Sequence, residues 1–412
     1  MHVLFVHPNY PAQFGHVARH LAAAHGFRCT FVSRHPPGTD DGVERIQYVL
    51  TGGTTQYTHP FCVPVEDVLW RTNAVYQALR ARPDVRPDLI VAHAGHIAAP
   101  LLADLYSCPL VNYFEFYTRM TGPVVSHRPD LPAGADHRPA THVRNSLFLL
   151  NLEGCDLGYS PTVWQRDQHP AVYRPKVRVI FDGLDLAVWH PRPTAPRRIG
   201  GRVIPDGTKL VTYVSRGLES VRGFDIFMRA ADIVCRRRTD VLFVVVGDDR
   251  SFYHPDDEFT GGRSFRRWTL DRGNYDLSRF HFAGTLPAGE LADLFSVTDL
   301  HVYLTVPFVL SWSLLNALAC GAPVIGSDTA PVREVIRDGE TGLLTDFFDA
   351  EAMADRMGEV LDRPQDFRHL GQNGVELVRR EYGLDVCLPR MVQLYHNAAT
   401  DRAIRLRADG TS

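Results

Sequence analysis

The chain of 412 residues carries 44 Lys+Arg against 47 Asp+Glu, a formal charge of −3, so it has neither the basic surplus of a polyanion-coating protein nor an acidic solvating tail. With 45% hydrophobic and 22% charged residues it has a globular composition, long enough for about two to three domains. No stretch approaches the roughly 18 apolar residues that cross a bilayer, so neither nucleic acid nor membrane is an expected partner. The seven cysteines stand singly, without a CxxC, and the first residues lack a basic region; a cytoplasmic protein is expected.

Taken in order, Val3 to Val6 reads as a buried strand, His7 to Gly15 as a turn-rich loop and His16 to Ala24 as a helix, the opening of a βαβ unit. Further strands are expected at Cys29 to Ser33, Leu89 to Ala92, Leu110 to Tyr113 and Val177 to Phe181, with helices at Val65 to Ala81 and His96 to Leu105. Arg128 to Arg144, rich in Pro, His and Arg, reads as a surface insertion. Trp189 to Asp206 reads as an interdomain linker. The pattern then restarts: strands at Leu210 to Val214, Val241 to Val246, Phe280 to Gly284, His301 to Leu304 and Pro323 to Gly326, helices at Gly223 to Arg237 and Ala350 to Leu361. The expected architecture is α/β, two Rossmann-like domains with parallel sheets facing a central cleft. The expected boundaries are 1–190 and 191–385, with a last helix, about 386–407, that could pack back onto the first domain.

Neither GxGxxG after the first strand nor GxxxxGK[ST] occurs, which argues against nicotinamide and P-loop chemistry. No histidine or cysteine set has zinc-like spacing, so no metal is expected. The segment from Pro307 to Asp328 reads as a strand end, a tight entry and a helix over about 310–320, closed by Gly321 with Pro323 beyond it. Such a helix start offers backbone N–H groups and a positive dipole end to a phosphate, although a plain packing helix fits the same residues.

At this segment the sequence resembles the family 4 retaining glycosyltransferases of the GT-B fold. The likeness continues through Thr329 to Leu344, through Phe181-Asp182-Gly183-Leu184-Asp185, and through Tyr213 to Phe224, where Arg216 and Arg222 stand for the family's Arg-x5-Lys element. Arginine in the lysine place agrees with a chain whose only lysines are Lys176 and Lys209. The resemblance implies a nucleotide-diphosphate sugar donor, UDP- or GDP-linked, and no cofactor. It assigns Arg216 and Arg222 to the diphosphate, assisted by amides near Leu310, Ser311 and Trp312 with Ser313 beside them, and Gly284, Thr285 and Leu286 to the nucleobase. Surface pairing of either arginine with Glu219 or Asp225 is the plainer alternative. The acidic runs Asp248-Asp249 and Asp256-Asp257-Glu258 lack the Asp-x-Asp spacing of metal-dependent transferases and read as surface loops.

In the family's Glu-x7-Glu pattern the two positions are Phe308 and Asn316 here. An amide offers the ribose one acceptor oxygen, a loss of about 1–2 kcal/mol relative to a carboxylate. A working site using Asn316, an unusual donor, and an inactivated chain all remain open. In the first half, the resemblance places His93 against the donor sugar and makes His96 a helix-start candidate. Asn9, Tyr10, Gln13, Phe14, Gly15, Glu115 and Tyr117 also follow strand ends and, with His96, are candidates for the acceptor. The leading expectation is transfer to a small soluble acceptor through a hydroxyl or thiol, and an antibiotic-pathway branch, lincosamide S-glycosyltransferases among them, is a narrower one. A sugar-nucleotide epimerase or a non-catalytic partner protein of the same fold is the alternative. A phosphorylase is disfavoured because Lys209, the one lysine of the second half, stands before a strand.

Overall fold

The computed structural model describes residues 1–120, 127–132 and 134–408, with the side chains of 401–408 left aside. The chain divides into two compact units, one formed by 1–120, 135–182 and the C-terminal residues from 385, the other by 121–134 and 183–384.

The first unit holds eight strands: β1 (His2–Val6), β2 (Arg28–Ser33), β3 (Gly38–Asp40), β4 (Val43–Gln47), β5 (Leu89–His93), β6 (Leu110–Tyr113), β7 (Leu157–Ser160) and β8 (Val177–Val179). Their order is 3-4-2-1-5-6-7-8, and all neighbours are parallel except β3 with β4. Every residue of β1, β5 and β6 is buried, which is why they read as unbroken apolar runs: a parallel strand covered on both faces has no polar side to show. Leu4, Val6, Val32, Ile90, Ala92 and Phe114 form the core with Val75 and Leu79 of helix Val63–Arg80 and Leu152 of helix His137–Gly154. The helix Leu384–Ala408 belongs to this unit; its fully buried Tyr395 lies 6.3 Å from the ring of Phe5.

The second unit begins with a short hairpin, β9 (Arg198–Ile199) and β10 (Arg202–Val203), inside the stretch expected as a linker. Its sheet holds β11 (Lys209–Gly217), β12 (Val241–Asp248), β13 (Phe280–Gly284), β14 (Leu300–Tyr303), β15 (Val324–Ser327) and β16 (Leu343–Thr345), all parallel in the order 13-12-11-14-15-16. Helix Phe224–Arg237 buries Phe224, Phe227, Met228 and Ala231 against Tyr213, Phe243 and Val302.

Three expectations need correcting. The stretch from Arg128 is not a loose insertion: Arg128 is 7% exposed, bonded to the Ser220 carbonyl and to Asp225 and Asp130, and helix His137–Gly154 starts within it. The region expected as a helix from His96 is a turn followed by a 3-10 helix, Ala99–Asp104; an α-helix begun at His96 would need an N–H from residue 100 to the His96 carbonyl, which Pro100 lacks. Asp256 is 1% exposed rather than a loop carboxylate. Among the described residues, no helix is long and apolar enough to cross a membrane.

Candidate active site

Each sheet reverses its winding once, between β1 and β5 in the first unit and between β11 and β14 in the second, and open α/β sheets bind ligands beyond the carboxyl ends of the strands at that point. In the second unit, β11 leads into a 3-10 turn, Ser220–Arg222, and Gly223 at φ 63°. A Cβ at Gly223 would stand 3.0 Å from Leu304 and Phe347, so glycine is required for the helix to start there. The turn drives Arg222 inward to 3% exposure. Its guanidinium donates to Thr305 Oγ1 (2.9 Å), beyond β14, and to the Val309 carbonyl (3.0 Å), ahead of helix Trp312–Ala319. One cation therefore spans the switch point, with the rings of Tyr253 and Phe308 5.2 and 5.5 Å away.

Two buried carboxylates hold the loop that carries Tyr253. Glu219 Oε2 accepts the amides of Phe252 (3.0 Å) and Tyr253 (2.9 Å), and burial pushes its carboxyl above the usual range. Burial alone would raise Asp256 too, but bonds from His254, Ser220 and Ser251 outweigh it and hold its carboxyl low. Glu219 thus serves backbone amides, and Asp225 is taken by Arg128 at 2.9 Å. Arg216 is exposed, its guanidinium 4.3 Å over the Phe252 ring.

Of the other donor-side candidates, Leu310 is buried, and the Ser311 amide donates to Tyr303 Oη (2.8 Å), so that N–H is already committed. Ser311 Oγ caps the helix by accepting the Ser313 amide (3.4 Å), and Trp312 is 44% exposed. Asn316 is 8% exposed, and its side-chain amide makes no hydrogen bond among the described residues. Gly284, at φ 65°, ends the edge strand β13, with Thr285 and Leu286 following.

At the switch point of the first unit, β1 runs into His7 and β5 ends at His93, with His96 one turn on. Their ring centroids lie 5.4 Å (His7–His93), 5.0 Å (His7–His96) and 4.4 Å (His93–His96) apart. His7 and His93 are 3% and 2% exposed, and burial, with His93 nearby, lowers His7 to about 3. Glu115, beyond the neighbouring β6, brings Oε2 to 3.7 Å from His93 Nε2. Sequence spacing could not show this trio, because His7 comes from a different strand; the signal for His7 was a polar residue directly after an apolar run. Among the described residues the trio is close enough to be tested as a metal site, its candidate ligand atoms within 4.8 Å of one another.

The loop after β1 divides. Tyr10 is buried, its hydroxyl donating to Asp40 (2.6 Å), and Phe14 packs on Phe5 and Tyr113, so both side chains serve the core. Gly15 is buried where a Cβ would meet Pro11 at 2.2 Å. Asn9 is exposed and Gln13 half-buried, while Tyr117 is half-buried with its ring edge against Phe148. The hollow of about 570 Å³ lined by Arg80, Asp88 and Pro109 lies at the opposite, amino-terminal ends of β5 and β6.

Residues 25–189 match the glycosyl transferase family 4 group, and residues 198–376 match glycosyl transferases group 1. A D-inositol 3-phosphate glycosyltransferase of Thermomonospora curvata is 24% identical over 65% of this chain and 58% of its own length. An N-acetyl-alpha-D-glucosaminyl L-malate synthase of Bacillus anthracis is 28% identical over 62% of this chain and 64% of its own. The chain thus spans less than two thirds of either relative. Sucrose-phosphate synthase from Thermosynechococcus elongatus superposes with a TM-score of 0.74 at 19% identity, covering 96% of this chain and 98% of that one.

Proposed function

The chain belongs to the glycosyltransferases of the GT-B fold, a family 4 domain followed by a group 1 domain, and on that footing we propose that it moves a sugar, with retention, from a UDP- or GDP-sugar to a small acceptor. The observation that carries the reading is Arg222, a buried cation fixed between Thr305 and the Val309 carbonyl at the switch point of the second unit. Departure of a nucleoside diphosphate builds negative charge on its oxygens, and a pre-set guanidinium lowers the barrier without reorganising when that charge appears. Arg216 meets the same diphosphate from the surface. The nucleobase lies along Gly284, Thr285 and Leu286, two strand spacings or about 10 Å from β11, and Asn316 offers its open amide to the ribose.

The first unit takes the acceptor at the ends of β1, β5 and β6, where His96, Glu115 and Asn9 gather. Two relatives are named for small polar partners, inositol 3-phosphate and malate, which favours a small acceptor over a polymer. Because guanidinium cations serve the leaving group, no metal or cofactor enters this mechanism. The test is a screen of nucleotide-sugars with mass detection of the released nucleoside diphosphate, alongside calorimetric titration with UDP and GDP. Binding of one of them in the micromolar range with turnover supports the reading; no binding of any nucleoside diphosphate refutes it and leaves a non-catalytic partner protein.

A further inference from the structure

We infer that Glu219 and Asp256 are positioning residues for the departing diphosphate: they clasp the loop 249–256 to the turn after β11, and the clasped loop presents Phe252 to Arg216, aiming a surface cation that nothing else holds. The need for such a device is visible at Arg216 itself. Its side chain is exposed and makes no hydrogen bond or ion pair among the described residues. A loose arginine loses rotamer freedom when a ligand fixes it, and that loss weakens binding. Arg222 has no such need, because Thr305 and the Val309 carbonyl already hold it. What Arg216 does have is the ring of Phe252 at 4.3 Å, with that of Tyr253 at 5.9 Å.

The clasp is reciprocal. From the strand side, Glu219 Oε2 accepts the amides of Phe252 and Tyr253, so one oxygen sets two consecutive residues of the loop. From the loop side, Asp256 accepts the Ser220 amide (3.0 Å) and the Ser220 hydroxyl (2.5 Å). Within its own loop it accepts the Ser251 hydroxyl (2.7 Å), with His254 Nδ1 at 3.1 Å. Each side chain thus serves the backbone of the other segment, as the two members of a capping box do at a helix start. The loop lies close against the strand end, where a Cβ at Gly217 would collide with the Arg250 carbonyl and the Phe252 ring. The pairing of β11 with β12 shifts register between Val214 and Gly217, an irregularity of the kind that re-aims a side chain between them. Glu219 and Asp256 are 0% and 1% exposed, and neither forms an ion pair with an arginine among the described residues. Negative charge beside an anion's site opposes the ligand, so what these carboxylates contribute is the place of the loop and not their charge.

The inference rests on the proposed function in giving Arg216 to the diphosphate; the clasp itself is read without ligand. Hydrogen exchange of the full-length chain should find the 252 and 253 amides protected and about tenfold or more faster in Glu219→Ala. Glu219→Gln, whose carbonyl oxygen can replace Oε2, should recover the protection. Calorimetry at fixed ionic strength with UDP and GDP, and with uridine and guanosine as controls, reads the consequence. Glu219→Ala should weaken the diphosphate that binds about fivefold to tenfold and its nucleoside less than about twofold, and Glu219→Gln should regain most of that loss. Phe252→Leu leaves every backbone bond of the clasp in place and answers the case in which Glu219→Ala does not fold; it should weaken the same diphosphate about threefold. In an Arg216→Met background both losses should shrink below about twofold, because the clasp acts through that side chain. Exchange at 252 and 253 unaltered by Glu219→Ala, Glu219→Gln as weak as Glu219→Ala, equal weakening of diphosphate and nucleoside, or losses that persist in Arg216→Met would each overturn the inference. Binding that falls in Arg216→Met yet ignores Phe252→Leu would overturn it and leave the proposed function standing. No binding of any nucleoside diphosphate by the unaltered chain would refute the proposed function, and the positioning role with it, even where exchange shows the clasp closed.

Discussion

Arg222→Met tests the central claim most directly, since methionine keeps the reach and apolar body of the side chain and removes its charge and donors. Thr305 Oγ1 and the Val309 carbonyl then lose donors that stand at 2.9 and 3.0 Å. Charge-assisted bonds contribute about 1.5–3 kcal/mol each, partly offset because methionine needs no desolvation, for a net loss of about 2–3 kcal/mol or about 4–12 °C in the melting temperature of its unit. For a diphosphate oxygen about 4 Å from the guanidinium, the Coulomb attraction is about 4 kcal/mol at an effective dielectric of 20. If desolvation cancels half of it, UDP or GDP binds about 30-fold more weakly. Calorimetry at fixed ionic strength with UDP and with uridine separates the charge from the scaffold: the diphosphate loses affinity, and the nucleoside changes by less than about twofold. Equal weakening of both ligands, or of neither, in a variant that still melts cooperatively would refute the reasoning.

Three further outcomes are expected. Asn316→Ala should weaken UDP or GDP about threefold to tenfold by calorimetry while leaving the 2′-deoxy nucleotide unchanged, if the amide meets the ribose. Arg128→Ala strands the mostly buried Asp225 carboxylate and the Ser220 carbonyl and should cost about 3–5 kcal/mol in denaturant unfolding, with part recovered in the Arg128→Ala/Asp225→Asn double variant. Burial depresses His301 to about 3 from an ordinary 6.5, so the unfolded chain takes up a proton near 6.5 that the folded chain refuses until about 3. Stability present above pH 6.5 is therefore lost as pH falls through that window, by up to about 4–5 kcal/mol, and His301→Leu should lower the midpoint of acid unfolding followed by circular dichroism.

Local pattern revealed most where one element suffices to explain it. The apolar runs of β1, β5, β6, β11 and β12 were legible because strands buried on both faces admit almost no polar residue, whereas β4, β7 and β16 were missed: Val43–Gln47 alternates polar and apolar residues, Leu157–Ser160 contains a glycine and Leu343–Thr345 has three residues. The helix expected over about 310–320 was legible from its glycine stop, whereas its start lies at Trp312, set by the Ser311 cap.

What the amino-acid order determined by itself was the succession of two βαβ series and the residue types that follow their strands. Which of those residues meet was decided by strand order. His7 joins His93 and His96 because β5 lies against β1, and Arg222 reaches Thr305 because β14 lies against β11. The same holds for the contrast between Arg216 and Arg222, a few positions apart yet one exposed and one buried, and for Arg128, basic in sequence but sunk between Asp225 and Phe347. Propensity and periodicity act along the chain, within a turn or a strand. Pairing of strands distant in sequence is settled only when whole hydrophobic faces compete for burial, and both switch points are products of that competition.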